Sequence, residues 1–216
     1  MICKDITELD MSKLYDMHIT FHHDKKNCIS KLDMFSSVNC ECKRHCAYAR
    51  ICYDIRQQKR YKNLVKCLSY NEFLIINKLY NVPKILTLYH RLMSSGDINS
   101  IHHIEFIDKT VKANPLTQIG IWIREDMLEP LKILMDKVNH PNLFKVLSIK
   151  RFNYIPSNEE CKRYNTSFTV YNDKNLLAKD FKDGLIDVIC ADKQCKNCLI
   201  CYTKHDKCIK VGELIK

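Results

Sequence analysis

Between residues 85 and 150 the chain alternates between short β-favouring runs and longer stretches of helical period, and no other property restricts its fold as much. Residues 85–93 are a dense run of apolar and β-favouring side chains and predict a largely buried strand. Residues 99–113 set Ile101, Ile104, Ile107 and Val111 on one stripe at helical spacing. Residues 117–123 predict a second strand. A helix follows from Asp126, with Leu128, Leu131, Met135 and Val138 on one face. Pro130 falls in its first turn, where the missing N–H is tolerated, and Pro141 stops it. Residues 144–150 predict a third strand. Strand, helix, strand, helix, strand with short links is the pattern of right-handed crossovers in a parallel sheet. Residues 166–171 and 185–189 read as further strands. The expected fold class is α/β, either a partial β/α barrel or an open parallel sheet. Its two cysteine clusters would be brought together at the C-terminal ends of the strands, where such sheets carry their chemistry. A single domain is expected over residues 1–216. It divides into an N-terminal extension (1–39), a β/α core (40–201) and a short basic tail (202–216).

Ahead of that array, a basic helix is expected from about Ala47 through Arg50, Arg56, Lys59, Arg60 and Lys62 towards Cys67. Ser69-Tyr-Asn-Glu72 reads as a capping box for a separate short helix over 73–79.

Thirteen cysteines carry the strongest chemical signal. Cys190, Cys195, Cys198 and Cys201 fall within twelve residues, the last three in a C-x-x-C-x-x-C run that gathers thiolates around one point with little backbone reach. That suits an iron–sulfur cluster, of 4Fe-4S type, or zinc. Zinc sites more often pair two knuckles across a longer loop, so iron–sulfur is favoured and zinc stays as the alternative. The competing reading is a metal-free cysteine loop, which at this thiol density would be prone to oxidation. The usual fourth ligand of the run is missing. Cys190 and His205 are the local candidates for it, and an upstream thiolate is the other. That upstream knot contains Cys40, Cys42, Cys46 and Cys52. Cys52 shares helical spacing with Tyr48 and Ile55 and reads as a core cysteine. Cys42 and Cys46 lie at or before a helix start, where free N–H groups stabilise thiolates.

Three polar groups should arrive at the strand ends: Ser95-Gly96-Asp97, Arg124, and Arg151 with Asn153. Ser95, Gly96 and Asp97 are candidate cofactor-binding residues: Gly96 would let a ligand approach closely and Asp97 would hydrogen-bond to it, and Arg91, Arg124 and Arg151 would bind carboxylate or phosphate. The bland reading of Ser95-Gly96-Asp97 is a turn with a helix cap. Trp122 reads as core. His22-His23 reads as a solvated loop in preference to a ligand pair. With only four glycines there is no G-x-G-x-x-G and no P-loop. The opening residues mix charges without an apolar run, and no segment approaches a membrane span, so a cytoplasmic protein with reduced thiols is expected. A net charge of +10 favours contact with a polyanion such as nucleic acid.

Together, Cys42-x-x-x-Cys46 followed by Tyr48-Ala49, Lys62-Asn63, Arg91 with Ser95-Gly96-Asp97, and the closing C-x-x-C-x-x-C resemble the phage proteins called the gene product 88 family. The likeness runs from about Cys40 to Cys201. It departs at Cys46-Ala-Tyr48-Ala49, where one residue is inserted before the tyrosine. It implies a phage-type origin, hence host cytoplasm, and a bound iron–sulfur cluster. More distantly, the layout resembles a shortened radical S-adenosylmethionine barrel, with Ser95-Gly96-Asp97 where those enzymes carry a Gly-Gly-Glu-like strand end. Two functions follow as expectations. One is a redox or radical iron–sulfur enzyme, with Cys190, Cys195, Cys198 and Cys201 as ligands, joined by Cys40, Cys42 and Cys46, and with S-adenosylmethionine as a candidate cofactor. The other is a zinc-stabilised nucleic-acid-binding protein. Its contact face would be the basic helix over 50–66, with Tyr48, Tyr53 and Tyr61 for stacking.

Overall fold

The computed structural model describes residues 22–24, 29–32, 48, 52–93, 96–190 and 195–215. Their centre is an eight-stranded sheet in the order β1-β2-β3-β4-β5-β6-β8-β7. The strands are β1 (His22–Asp24), β2 (Ile29–Leu32), β3 (Tyr89–Leu92), β4 (Gln118–Arg124), β5 (Leu143–Ser148), β6 (Thr166–Tyr171), β7 (Val188–Ile189) and β8 (Ile209–Leu214). Only the β1–β2 pairing is antiparallel; β2 to β8 pair in parallel. The α/β expectation of an open parallel sheet or partial barrel therefore holds.

The helices are α1 (Tyr53–Arg60), α2 (Lys62–Ile76), α3 (Ile101–Ala113), α4 (Glu129–Lys137), α5 (Asn158–Cys161), α6 (Lys174–Lys182) and α7 (Cys195–Cys198), with a 3-10 turn at Ile200–Tyr202. From β2 to β6 each new strand is added on the same side of the last. Right-handed crossovers that all step the same way put every connecting helix on one face. The packing agrees. Ile119, Ile121 and Ile123 of β4 form one core with Leu74 and Ile75 of α2, Ile104, Phe106, Ile107 and Val111 of α3, and Met135 of α4. Further along the same face, Tyr171 of β6 packs with Leu177 of α6 and Ile186. Because β8 is inserted between β6 and β7, the last crossover steps backwards, and a right-handed path then takes it across the opposite face.

Buried asparagines fix the N-terminal ends of the strands. The Asn114 amide donates to the carbonyls of Pro83 (2.9 Å) and Thr110 (2.7 Å), and its oxygen accepts from Ile85 N–H (2.8 Å). The Asn142 amide donates to the carbonyls of Asn114 (2.9 Å) and Thr117 (3.0 Å). These bonds satisfy loop carbonyls, and one in the last turn of α3, that no strand partner reaches.

Several expectations need correction. Ser69–Glu72 caps nothing: α2 runs unbroken through it, and the basic segment is instead divided at Tyr61, between α1 and α2. The first predicted strand is shorter than expected, because only Tyr89–Leu92 finds ladder partners. His22 and His23 lie in a strand, not a loop. Helix α6, capped by the Asp173 side chain on the N–H groups of Asn175 and Leu176, had no counterpart in the sequence reading. The basic tail is not a tail: residues 209–214 form β8, an interior strand.

Candidate metal centre and strand-end rim

The ladder registers define the helix-free face of the sheet. Residues aligned across parallel strands share a face, so Arg91, Gly120 and Phe144 form one row, and Trp122, Val146, Thr166 and Ile209 the next. Arg124, Ser148, Phe168 and Val211 form the row nearest the strand ends.

The cysteine loop lies on this face. It leaves β7 at Cys190, whose N–H donates to the Gly212 carbonyl at 2.8 Å. Cys195 and Cys198 bound α7, one turn apart, and Cys201 sits in the 3-10 turn. Leu199, between them, holds φ at 53°, the left-handed value that reverses the chain between the two turns. Tyr202 then anchors the loop. Its ring is buried, 5.8 Å from Tyr89 and 6.1 Å from Trp122. A Cβ on Gly120 would stand 2.7 Å from its Cε1 atom, so the absence of a side chain at 120 is what admits the ring.

This seat corrects one expectation. Cys190 does follow the C-terminal end of a strand, but the loop does not stay on the rim: it turns inward and rests on the middle of β4 and β5. Trp122 is also not a core residue of the helical side. It lies half-buried on the opposite face, and the Arg91 guanidinium stacks over its ring at 3.9 Å.

Arg91 is where the loop and the sheet meet electrostatically. Burial pushes the Cys201 thiol up to about 12. The Arg91 charge pulls it the other way, and Cys190, Cys195 and Cys198 add to the rise. Arg91 and the other three thiols are thus each near enough to Cys201 to influence its ionisation. The Arg91 Nε is buried and has no hydrogen-bond partner among the described residues. A buried N–H left without an acceptor is costly, and the Arg91 charge is felt at Cys201, whose sulfur becomes a strong acceptor once ionised. The donor set therefore has the chemistry of a soft-metal site with a cation beside it. As the side chains stand, no group of three or more His, Cys, Asp or Glu among the described residues is disposed to hold a metal ion. His205, the other local candidate for a fourth ligand, hydrogen-bonds through Nε2 to the Ile200 carbonyl at 3.0 Å.

The rim is built differently from its expectation. Arg124 gives Nη1 to Asp97 at 2.5 Å, and Nε and Nη2 to the two Asp126 oxygens at 2.9 and 2.7 Å. Lys150 also binds Asp126 (2.8 Å), and Arg151 binds Glu125 (2.8 Å) while stacking on Tyr154. Asp97, Glu125 and Asp126 thus offset Arg124, Lys150 and Arg151. Arg124 positions Asp97 and Asp126 and has little left to offer an anionic ligand. Gly96, at φ 86°, makes the turn that delivers Asp97 to it. Burial raises the Asp126 carboxyl, but hydrogen bonds from Arg124 and Lys150 outweigh it and hold the group at about 2. Asn153 does not face a ligand either: it exchanges bonds with Asn172 (2.6 and 3.0 Å).

Of the upstream knot, Cys40, Cys42 and Cys46 lie outside the described residues, as does Ser95. Tyr48 is described. Its hydroxyl donates to the Ile149 carbonyl at 3.2 Å, just past β5, and its ring meets Phe152 edge-on at 4.5 Å. Cys52 is half-buried at the N-cap of α1 and not a fully buried core residue.

The sequence reading missed Tyr202, Gly120 and the Arg91–Trp122 stack. One signal was available: a lone glycine inside a strand pattern marks close approach of another chain segment. No family model, curated protein or solved structure matches this chain.

Proposed function

We propose that this is an iron–sulfur protein of the phage gene product 88 type, working as a redox or radical enzyme on the helix-free face of its sheet. Cys190, Cys195, Cys198 and Cys201 are the ligands of its cluster. The observation that carries this reading is the buried Cys201 thiol, which feels Cys190, Cys195, Cys198 and the Arg91 charge, together with an Arg91 Nε that is buried without an acceptor among the described residues. On binding a soft metal these thiols ionise, and the negative charge they then gather needs compensation. Arg91 supplies part of that compensation and a metal centre the rest.

When bound, the cluster supplies one-electron chemistry. The chain's own residues have definable tasks. Tyr202 and Gly120 seat the loop, Trp122 holds the guanidinium in place, and Arg91 offsets the charge of the sulfurs. Asp97, Arg124 and Asp126 form a charge-balanced rim at the strand ends. Cys46 precedes Tyr48 by two residues, and Tyr48 is tied to the end of β5; this supports a role for the upstream knot at the same centre. S-adenosylmethionine is the candidate cofactor for the strand ends next to Gly96 and Asp97.

Purification without oxygen tests the reading. The expected product is brown, absorbs near about 400 nm and carries iron with acid-labile sulfide; replacing Cys198 and Cys201 together with serine abolishes the colour. A colourless protein with stoichiometric zinc overturns it.

That outcome would favour the second reading, a zinc-stabilised nucleic-acid-binding protein. Its support is the outer face of α1 and the start of α2, where Arg56, Lys59, Arg60 and Lys66 are exposed and Tyr61 stands beneath the Arg60 guanidinium at 5.4 Å. Binding to single-stranded DNA or RNA that falls steeply with salt is expected of it. Absence of binding at low salt removes it.

A further inference from the structure

On the other side of the sheet two more cysteines meet. Cys161 ends α5 and is 2% exposed; Cys208 immediately precedes β8 and is half-buried; both are free thiols. The register explains why they come together. Ile209 pairs with Thr166, and its N–H donates to the Asn165 carbonyl at 3.1 Å, which sets Cys208 beside Asn165. Residues 165 and 167 of the β6 segment and 208 and 210 of the β8 segment have the parity of the helical face. Cys161 returns to that face from α5, its carbonyl accepting from Tyr164 N–H at 2.9 Å. The two thiols are near enough to govern each other's ionisation, and Lys210 acts on both. The sheet separates them from Cys190, Cys195, Cys198 and Cys201.

We propose that Cys161 and Cys208 form a redox-active dithiol that reacts with low-molecular-weight disulfides and closes into a reversible intramolecular disulfide. Cys208, the more exposed sulfur, attacks the small disulfide RSSR as a thiolate. One S–S bond forms to Cys208, the original one breaks, and RS⁻ leaves and takes a proton. Cys161 then attacks the mixed disulfide at the Cys208 sulfur and expels the second RS⁻. The net change is two protein thiols and RSSR giving a protein disulfide and two RSH, so the two electrons and two protons pass to the small disulfide. Cys161 supplies the base: the hydrogen bond from Cys208 draws it down to about 7 despite its burial while Cys208 is raised, so the Cys161 thiolate takes the Cys208 proton as Cys208 attacks and passes it to the departing RS⁻ before it attacks in its turn.

The consequence is mechanical. Closed, the disulfide joins α5 to the entry of β8, the strand that carries the cysteine loop back into the sheet. The metal centre lies on one side of the sheet, and the fastening of its return limb on the other.

Full-length protein is treated with oxidised glutathione, its remaining thiols are alkylated, and its peptides are mapped. The expected result is a cross-linked peptide pair joining Cys161 to Cys208 that dithiothreitol separates. In Cys161→Ser, glutathione is expected to remain on Cys208, because nothing resolves the mixed disulfide. Wild-type protein with both cysteines alkylated, or with Cys208 joined to one of Cys190 to Cys201, overturns the proposal. The wild-type measurement stands whether or not the variant folds. It is independent of the metal content, so its failure is distinguishable from failure of the iron–sulfur reading.

Discussion

Gly120 and Arg91 show how single residues decide whether the cysteine loop has a place to sit. A methyl group at 120 would come within 2.7 Å of the Tyr202 ring, which is itself packed between Tyr89 and Trp122 and has little room to retreat. Gly120→Ala is therefore expected to destabilise the protein by about 1–3 kcal/mol, the usual cost of overpacking. Urea unfolding measures this, and an unchanged midpoint would show that the ring is not held. Arg91 acts through charge and through the indole beneath it. Arg91→Met removes the charge beside the thiols and should lower metal retention roughly tenfold, as loss of an outer-shell partner does elsewhere. Arg91→Lys keeps a charge but loses the planar stack and should fall between the two. Metal analysis after gel filtration, with circular dichroism to confirm the fold, separates these outcomes. Equal metal content in all three proteins would remove Arg91 from the site.

At the scale of elements, the strand and helix periods were readable and the boundaries set by tertiary contacts were not. Residues 166–171 were placed without error because alternation and β-branched content agree there. Leu86 and Leu88, in contrast, look like strand residues but lie exposed, outside any ladder. Local pattern cannot say where a neighbouring strand begins. Ser69–Glu72 matched a capping box by composition, yet the helix on either side of it is continuous, so the box had no free N–H groups to satisfy. At the rim, the residue types were identified and their allegiance was not. Asp97 and Arg124 are 27 positions apart, and only the fold reveals that they bond to each other rather than to a ligand. That pairing has a pH signature. Asp126 is held at about 2, below an ordinary aspartate near ~3.9, so its contribution is complete above about pH 4 and is lost as pH falls through 2. Asp126→Asn should be less stable than wild type at neutral pH, modestly so because the carboxylate is partly exposed. The gap should close between pH 4 and 2. Chemical denaturation at a series of pH values checks it; a gap that persists at pH 2 would assign the effect to packing instead.

For the whole molecule, the decisive element is the one the sequence concealed. Residues 209–214 are short, mixed in polarity and placed after the last cysteine, all of which suggest a tail. Their strand character comes from their neighbours: β8 pairs over six positions with β6 and over two with β7. Its Gly212 lets Leu177 and Tyr171 pack where a Cβ would stand 2.6 Å from Leu177 Cδ1. β8 is also the reason the cysteine loop crosses the helix-free face, since a strand inserted between β6 and β7 reverses the sense of the last crossover. Loop and strand are thus one device: the chain returns to fill the gap beside β6 by way of the 3-10 turn, whose Tyr202 packs near Trp122. Truncation after Cys208 is therefore expected to do more than trim a terminus. It should leave β7 without its partner, expose Val211's neighbours on β6, and release Tyr202 from Gly120. The predicted outcome is loss of cooperative unfolding together with loss of metal, whereas removing only Ile215 and Lys216 should leave both intact. Thermal unfolding and metal analysis of the two truncations decide the matter. A cooperative, metal-retaining protein that ends at Cys208 would mean that the loop is held by its own cysteines and not by the strand that follows them.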